Sequence, residues 1–114
     1  MGLGEKIAAR RQKNRRLISV AEWGDDQPLQ IYASTLTCHD VDRIQKKHKD
    51  FLNGNMSIEA MVDLIILKSE TADGEKMFTL EDKPHLMREP VLLVTRVAGE
   101  VFGSVLSVED AQKN

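Results

Sequence analysis

The sequence predicts a mainly helical α+β domain in which an N-terminal β-hairpin packs on a bundle of about four helices. Three observations predict it. Residues Leu17 to Trp23 and Leu29 to Ala33 alternate β-branched or aromatic with polar side chains around the turn-rich run Gly24-Asp25-Asp26-Gln27-Pro28, as a hairpin does. Thr37 with Asp40, and Thr79 with Asp82, carry a variant of the capping box that starts helices. Val94, Val97, Ala98, Val101, Phe102 and Val105 fall at the spacing of one helical face. A lone hairpin is marginal in water, so it needs the helices to rest on.

At 114 residues, 41% hydrophobic and 30% charged, the chain is sized for one soluble domain. The expected organisation is a basic arm or frayed helix over residues 1–16, a globular domain over 17–106 and a short tail over 107–114. The arm holds Lys6, Arg10, Arg11, Lys13, Arg15 and Arg16 against Glu5 alone, which leaves 10 basic and 17 acidic residues for the rest. Such an arm suits phosphate, an acidic protein surface or the chain's own acidic body.

After the hairpin, the helix capped by Thr37 is expected to run to about residue 52 on a stripe of Val41, Ile44, His48 and Phe51, with Asn53 and Gly54 as its stop. Ser57 starts the next helix, from Ile58 to about Ser69. Ile58, Met61, Val62, Leu64, Ile65, Ile66 and Leu67 make it apolar on most faces, so it is expected to be the central buried helix. Glu70 to Lys76 reads as a polar turn around Asp73 and Gly74. A short helix from Leu80 to Met87 tolerates Pro84 near its start, and Pro90 opens the last long helix in its first turn. Ser107 and Asp110 fit one more short turn. On that last long helix Arg96, Gly99, Glu100 and Gly103 form a second stripe. Its glycines let a backbone approach closely, either within the fold or from a second copy in a homo-oligomer.

Chemistry has little to work with. Cys38 and His39 are adjacent and diverge by about 100° on a helix, while His39 and His48 fall on opposite faces, which argues against a metal site. No glycine pattern cradles a phosphate or a dinucleotide. Asp25 with Asp26, and Glu81 with Asp82, occupy turn and cap positions suited to structure. No catalytic, cofactor-binding or metal-binding residues are assigned, and a non-enzymatic protein is expected. The single cysteine and the absence of a signal-like amino terminus fit a reducing cytoplasm. The stretch from Val91 to Leu106, interrupted by Arg96 and Glu100, is too short to span a bilayer.

The order of features resembles a known family. A basic helical start, the Trp23-Gly24 hairpin, a capped charged helix and the run Met61-Val62-Asp63-Leu64-Ile65-Ile66-Leu67 come first. Asp73-Gly74-Glu75-Lys76-Met77-Phe78-Thr79-Leu80-Glu81-Asp82 follows, leading through a short helix to a last helix ending near Gly103. Over residues 18–114 this resembles the tail assembly chaperones of long-tailed phages and prophages. The resemblance implies a protein that acts in the host bacterial cytoplasm, binds the largely helical tape measure protein and helps recruit major tail tube protein subunits. It transfers no catalytic residues and no cofactor. The residues themselves suggest partner contacts at Arg10, Arg11, Arg15 and Arg16 on the arm, and at Arg96, Gly99, Glu100 and Gly103 on the last helix. Two other readings stay open: a small nucleic-acid-binding regulator using the arm, and a structural tail or connector component.

Overall fold

The computed structural model describes residues 2–12, 15–49, 51 and 57–103. In chain order the elements are α1 (Leu3–Gln12), β1 (Arg15–Val20), a 3₁₀ turn (Ala21–Trp23), β2 (Leu29–Ser34), α2 (Cys38–Lys47), α3 (Ile58–Lys68) and β3 (Ser69–Glu70). A second 3₁₀ turn (Leu80–Asp82), α4 (Lys83–Leu86) and α5 (Val91–Phe102) complete them. The fold is α+β and mainly helical, with the hairpin at the N-terminal side as the sequence predicts. Asn53, Gly54, Val105, the turn at Ser107 and Asp110 and the tail 107–114 lie outside the described residues.

The sheet is antiparallel with order β1-β2-β3. β1 and β2 pair from Arg15↔Ser34 to Val20↔Leu29, and this register sets Ile18 opposite Ile31. Strand side chains alternate between faces, so Ile18, Val20, Ile31 and Ala33 are all buried while Leu17 and Ser19 are exposed. Two boundaries differ from the expected ones. β1 begins at Arg15, so Arg15 and Arg16 stand in the sheet, and it ends at Val20. Residues 21–23 leave the ladder because Trp23 is engaged elsewhere: its indole N–H donates to Glu89, and its ring meets Phe78 edge-on at 6.1 Å. Gly24 then lets the loop close, since a Cβ there would collide with the Gln27 carbonyl.

The third strand was not expected. Ser69 and Glu70 pair with Ala33 and Tyr32, so the chain passes from α3 into the sheet where a helix end and a polar turn were anticipated. The turn itself follows, with Gly74 at φ +87° and its N–H donating to the Thr71 carbonyl at 2.9 Å. Met77 N–H returns to the Ser69 carbonyl at 3.1 Å.

The helix starts follow the cap signals. Thr37 Oγ1 accepts from Asp40 N–H at 3.1 Å while Asp40 Oδ2 accepts from Thr37 N–H at 3.0 Å. Ser57 Oγ accepts from Ala60 N–H at 3.1 Å, and Asp82 Oδ2 accepts from Thr79 N–H at 2.8 Å. Each bond satisfies a donor that the first turn would leave unpaired. Pro90 stands one residue ahead of α5, its carbonyl accepting Leu93 N–H and Val94 N–H at 3.1 Å. α2 is shorter than expected and ends at Lys47. His48 turns out of helical geometry, with φ −124° and ψ 88°, and its ring goes to Asp63 of α3. Phe51 N–H then donates to the His48 carbonyl, and the Phe51 ring packs edge-on to Phe102 with centroids 5.3 Å apart.

α3 is the buried centre. Ala60, Val62, Leu64 and Ile65 are fully inaccessible and Ile66 nearly so. α5 lies along it with Leu93, Val94, Val97, Ala98, Val101 and Phe102 buried, and the inner sheet face closes the same cluster. Each fully buried aliphatic side chain contributes about 1.5–3 kcal/mol relative to exposure. Replacing Ile65 by Ala is expected to lower the unfolding free energy by about 2–5 kcal/mol, and Ile65→Asp, which buries an unpaired charge, is expected to leave the chain unfolded. Urea titration followed by circular dichroism checks both; native stability in either variant would contradict this packing.

Candidate functional site

A concave surface with a largely apolar lining lies between α2, α3 and the segment 76–80, a groove of about 410 Å³. Its floor is apolar, made by Ile44 of α2, Ile66 and Leu67 of α3, and Phe78. Leu80 forms the lip and is 75% exposed. Burial of Phe78 on one side by Trp23 holds this wall in place, because the hairpin turn and the groove share that ring contact. Of the described charged residues that line the groove, Arg43, Lys47 and Lys76 are cationic and Asp63 is anionic. Neither Arg43 nor Lys76 forms an ion pair among the described residues.

One end of the groove is closed by a charge network that joins three helices. His48 Nε2 donates to Asp63 Oδ2 at 2.8 Å, and Lys83 Nζ reaches Asp63 Oδ1 at 2.9 Å and Glu59 Oε2 at 2.7 Å. Lys47 Nζ lies 3.3 Å from both acids. Glu59 and Asp63 are four residues apart, so they share the one polar strip of α3. Burial disfavours the Asp63 carboxylate, yet the hydrogen bonds from His48, Lys83 and Lys47 outweigh it and hold the carboxyl below its ordinary value of 3.8. Burial likewise opposes the Lys83 ammonium, and its bonds to Glu59 and Asp63 prevail, so its pKa is raised.

A second concavity, bounded by Ser34, Thr37, Asp40 and Lys68, is stitched from within. Lys68 Nζ, on a side chain only 8% exposed, donates to Asp40 Oδ2 at 2.7 Å, the oxygen that also caps α2. Burial raises the Asp40 pKa, and the bonds from Lys68 and Thr37 override it, so the net direction is down.

The structure brings some of the residues that the sequence singled out together and engages others elsewhere. Arg10 is exposed on α1, with Leu3 and Ile7 exposed on the same helix; Arg11 follows in its backbone, its side chain outside the described residues. Arg15 is spent internally: its guanidinium donates to the Thr71 and Ala72 carbonyls at 3.0 and 2.9 Å, approaches Glu70 at 3.4 Å and covers the Tyr32 ring at 5.0 Å. Arg16 and Gly103 do come together, since a Cβ on Gly103 would strike Arg16 Nη1, and Gly103 adopts φ +58°. Arg96 forms a forked pair with Glu22 at 3.0 and 3.3 Å. Gly99 is half-buried and Glu100 exposed on α5. The groove residues Arg43, Lys76 and Leu80 were not anticipated; the only sequence trace was the i, i+4 acid pair on an otherwise apolar helix, beside His48.

Among the described residues no group of three His, Cys, Asp or Glu side chains lies close enough to hold a metal ion, and Cys38 is an exposed free thiol. No described helix is long and apolar enough to cross a membrane. Set against protein-family models, curated proteins and solved structures, the chain matches none.

The charge network carries a pH dependence. Asp63 and Asp40 ionise more readily in the folded chain than in the unfolded one, so the unfolded chain takes up protons first as pH falls. Their contribution is complete above about pH 4 and is lost as pH drops through the folded pKa values. Asp63→Asn is expected to lower stability at pH 7 by about 1.5–3 kcal/mol and to flatten the decline below pH 4. Denaturant titrations from neutral to acidic pH read this out, and a variant profile parallel to the parent would contradict the role given to Asp63.

Proposed function

We propose that this chain is a tail assembly chaperone of a long-tailed phage or prophage. It binds the tape measure protein and helps recruit major tail tube subunits in the host bacterial cytoplasm, with no reaction of its own. One observation supports the reading above the others. The segment from Asp73 to Asp82, on which the family resemblance leans most, comes to the surface as a wall of the apolar groove, contributing Lys76, Phe78, Thr79 and Leu80. A long helical client exposes apolar faces before it is assembled and aggregates unless they are covered. Shallow apolar grooves are a common way of covering them.

The internal use of Arg15 weighs against the nucleic-acid reading, because that guanidinium already donates to two carbonyls and to Glu70. Co-expression with the tape measure protein of the same phage is expected to increase the soluble client severalfold and to yield a copurifying complex. Unchanged client aggregation with no complex would contradict the proposal. Mass spectrometry of purified particles separates a chaperone, which is expected to be absent from them, from a structural tail component, which stays.

A further inference from the structure

The groove's charge pattern runs against the charge of the rest of the chain. Outside the first 16 residues acidic side chains outnumber basic ones by 17 to 10, yet the described residues of the groove present three cations to one carboxylate. That carboxylate, Asp63, is already shared among His48, Lys47 and Lys83. Lys47 is engaged in the same network, which leaves Arg43 on α2 and Lys76 across the groove as cations with no ion-pair partner among the described residues. Between them lie Ile44, Ile66, Leu67 and Phe78, with Leu80 at the lip. An apolar groove to which two separate segments bring cations with no ion-pair partner among the described residues is complementary to an amphipathic helix whose apolar face is flanked by carboxylates.

We infer that the groove between α2, α3 and residues 76–80 is the docking site for an amphipathic helix of a partner protein. Its apolar face fills the floor, and its flanking Glu or Asp side chains pair with Arg43 and Lys76. The inference rests on the reading of the chain as a binder of helical clients and adds the selection rule for the client segment. A second copy of this chain is a poor occupant. Its exposed helix α1 does offer Leu3 and Ile7, but it brings Lys6, Arg10 and Arg11 against only Glu5, and like charges across an interface are disfavoured.

The test uses the full chain and two synthetic helical peptides of about 18 residues, roughly five turns, with the same leucine face, one flanked by Glu and one by Lys. Fluorescence anisotropy is expected to show the Glu-flanked peptide binding roughly tenfold more tightly at low salt, with the difference shrinking as salt is added. The double variant Arg43→Glu, Lys76→Glu changes two exposed side chains and is expected to keep its circular dichroism spectrum while reversing the preference. Equal binding of the two peptides, or a preference unmoved by the charge reversal, would overturn the inference. So would a concentration-dependent dimer of the chain alone that Leu80→Asp dissolves, since that puts a second copy in the groove. If the tape measure protein copurifies equally well with the parent and with the double variant, the groove assignment falls while the chaperone reading stands. If it copurifies with neither, and the peptides discriminate as described, the client assignment falls and the groove remains a site for acidic-flanked helices.

Discussion

α3 is apolar on nearly every face, and a helix of that kind must be covered all round before the chain can fold. Most of the remaining structure answers that demand. α5 lies along one side with six buried side chains, the inner face of the sheet closes another, and α2 and α4 approach the polar strip. The sheet depends on α3 as directly as the helices do. Its third strand is the continuation of α3 past Lys68, so the chain leaves the core helix and pairs with β2 within two residues.

The polar strip of α3 is where the cover is incomplete, and there the fold turns into a surface. Asp63 cannot be buried without partners, and together with the half-exposed Glu59 it collects Lys47, His48 and Lys83 from the helices on either side. Drawing His48 toward Asp63 coincides with the early end of α2. The segment from Lys76 to Leu80, held by the Trp23 and Phe78 contact, then stands opposite α2 across Ile66 and Leu67. A groove with an apolar floor results from the same ion pairs that keep the core helix satisfied.

What was legible in the sequence were the interactions local in the chain. Thr37 with Asp40, Ser57 and Thr79 with Asp82 mark helix starts because each cap bond closes within three residues. The 3.6-residue period of Val94, Val97, Ala98, Val101 and Phe102 was legible because one partner surface buries them all. What was not legible depends on residues far apart in the chain. The exit of Trp23 from the strand requires Glu89 and Phe78, the shortening of α2 requires Asp63, and the third strand requires β2. Arg15 illustrates the same limit on the functional side. As one of six cations near the start of the chain it reads as part of a free arm, yet its guanidinium crosses β2 to bind the carbonyls after β3. The groove has no sequence motif at all, because it is made by α3 and two segments, α2 with its end and residues 76–80, that lie far apart in the chain.

We propose that partner binding takes place on the groove and not on the basic helix at the start of the chain. Amide hydrogen exchange of the chain, free and in its copurified complex with the tape measure protein, tests that most directly. The account predicts slowed exchange on complex formation in Arg43 to His48 and in Lys76 to Leu80, with α1 unchanged. Protection gained only in α1, with the groove segments exchanging as in the free chain, would contradict it.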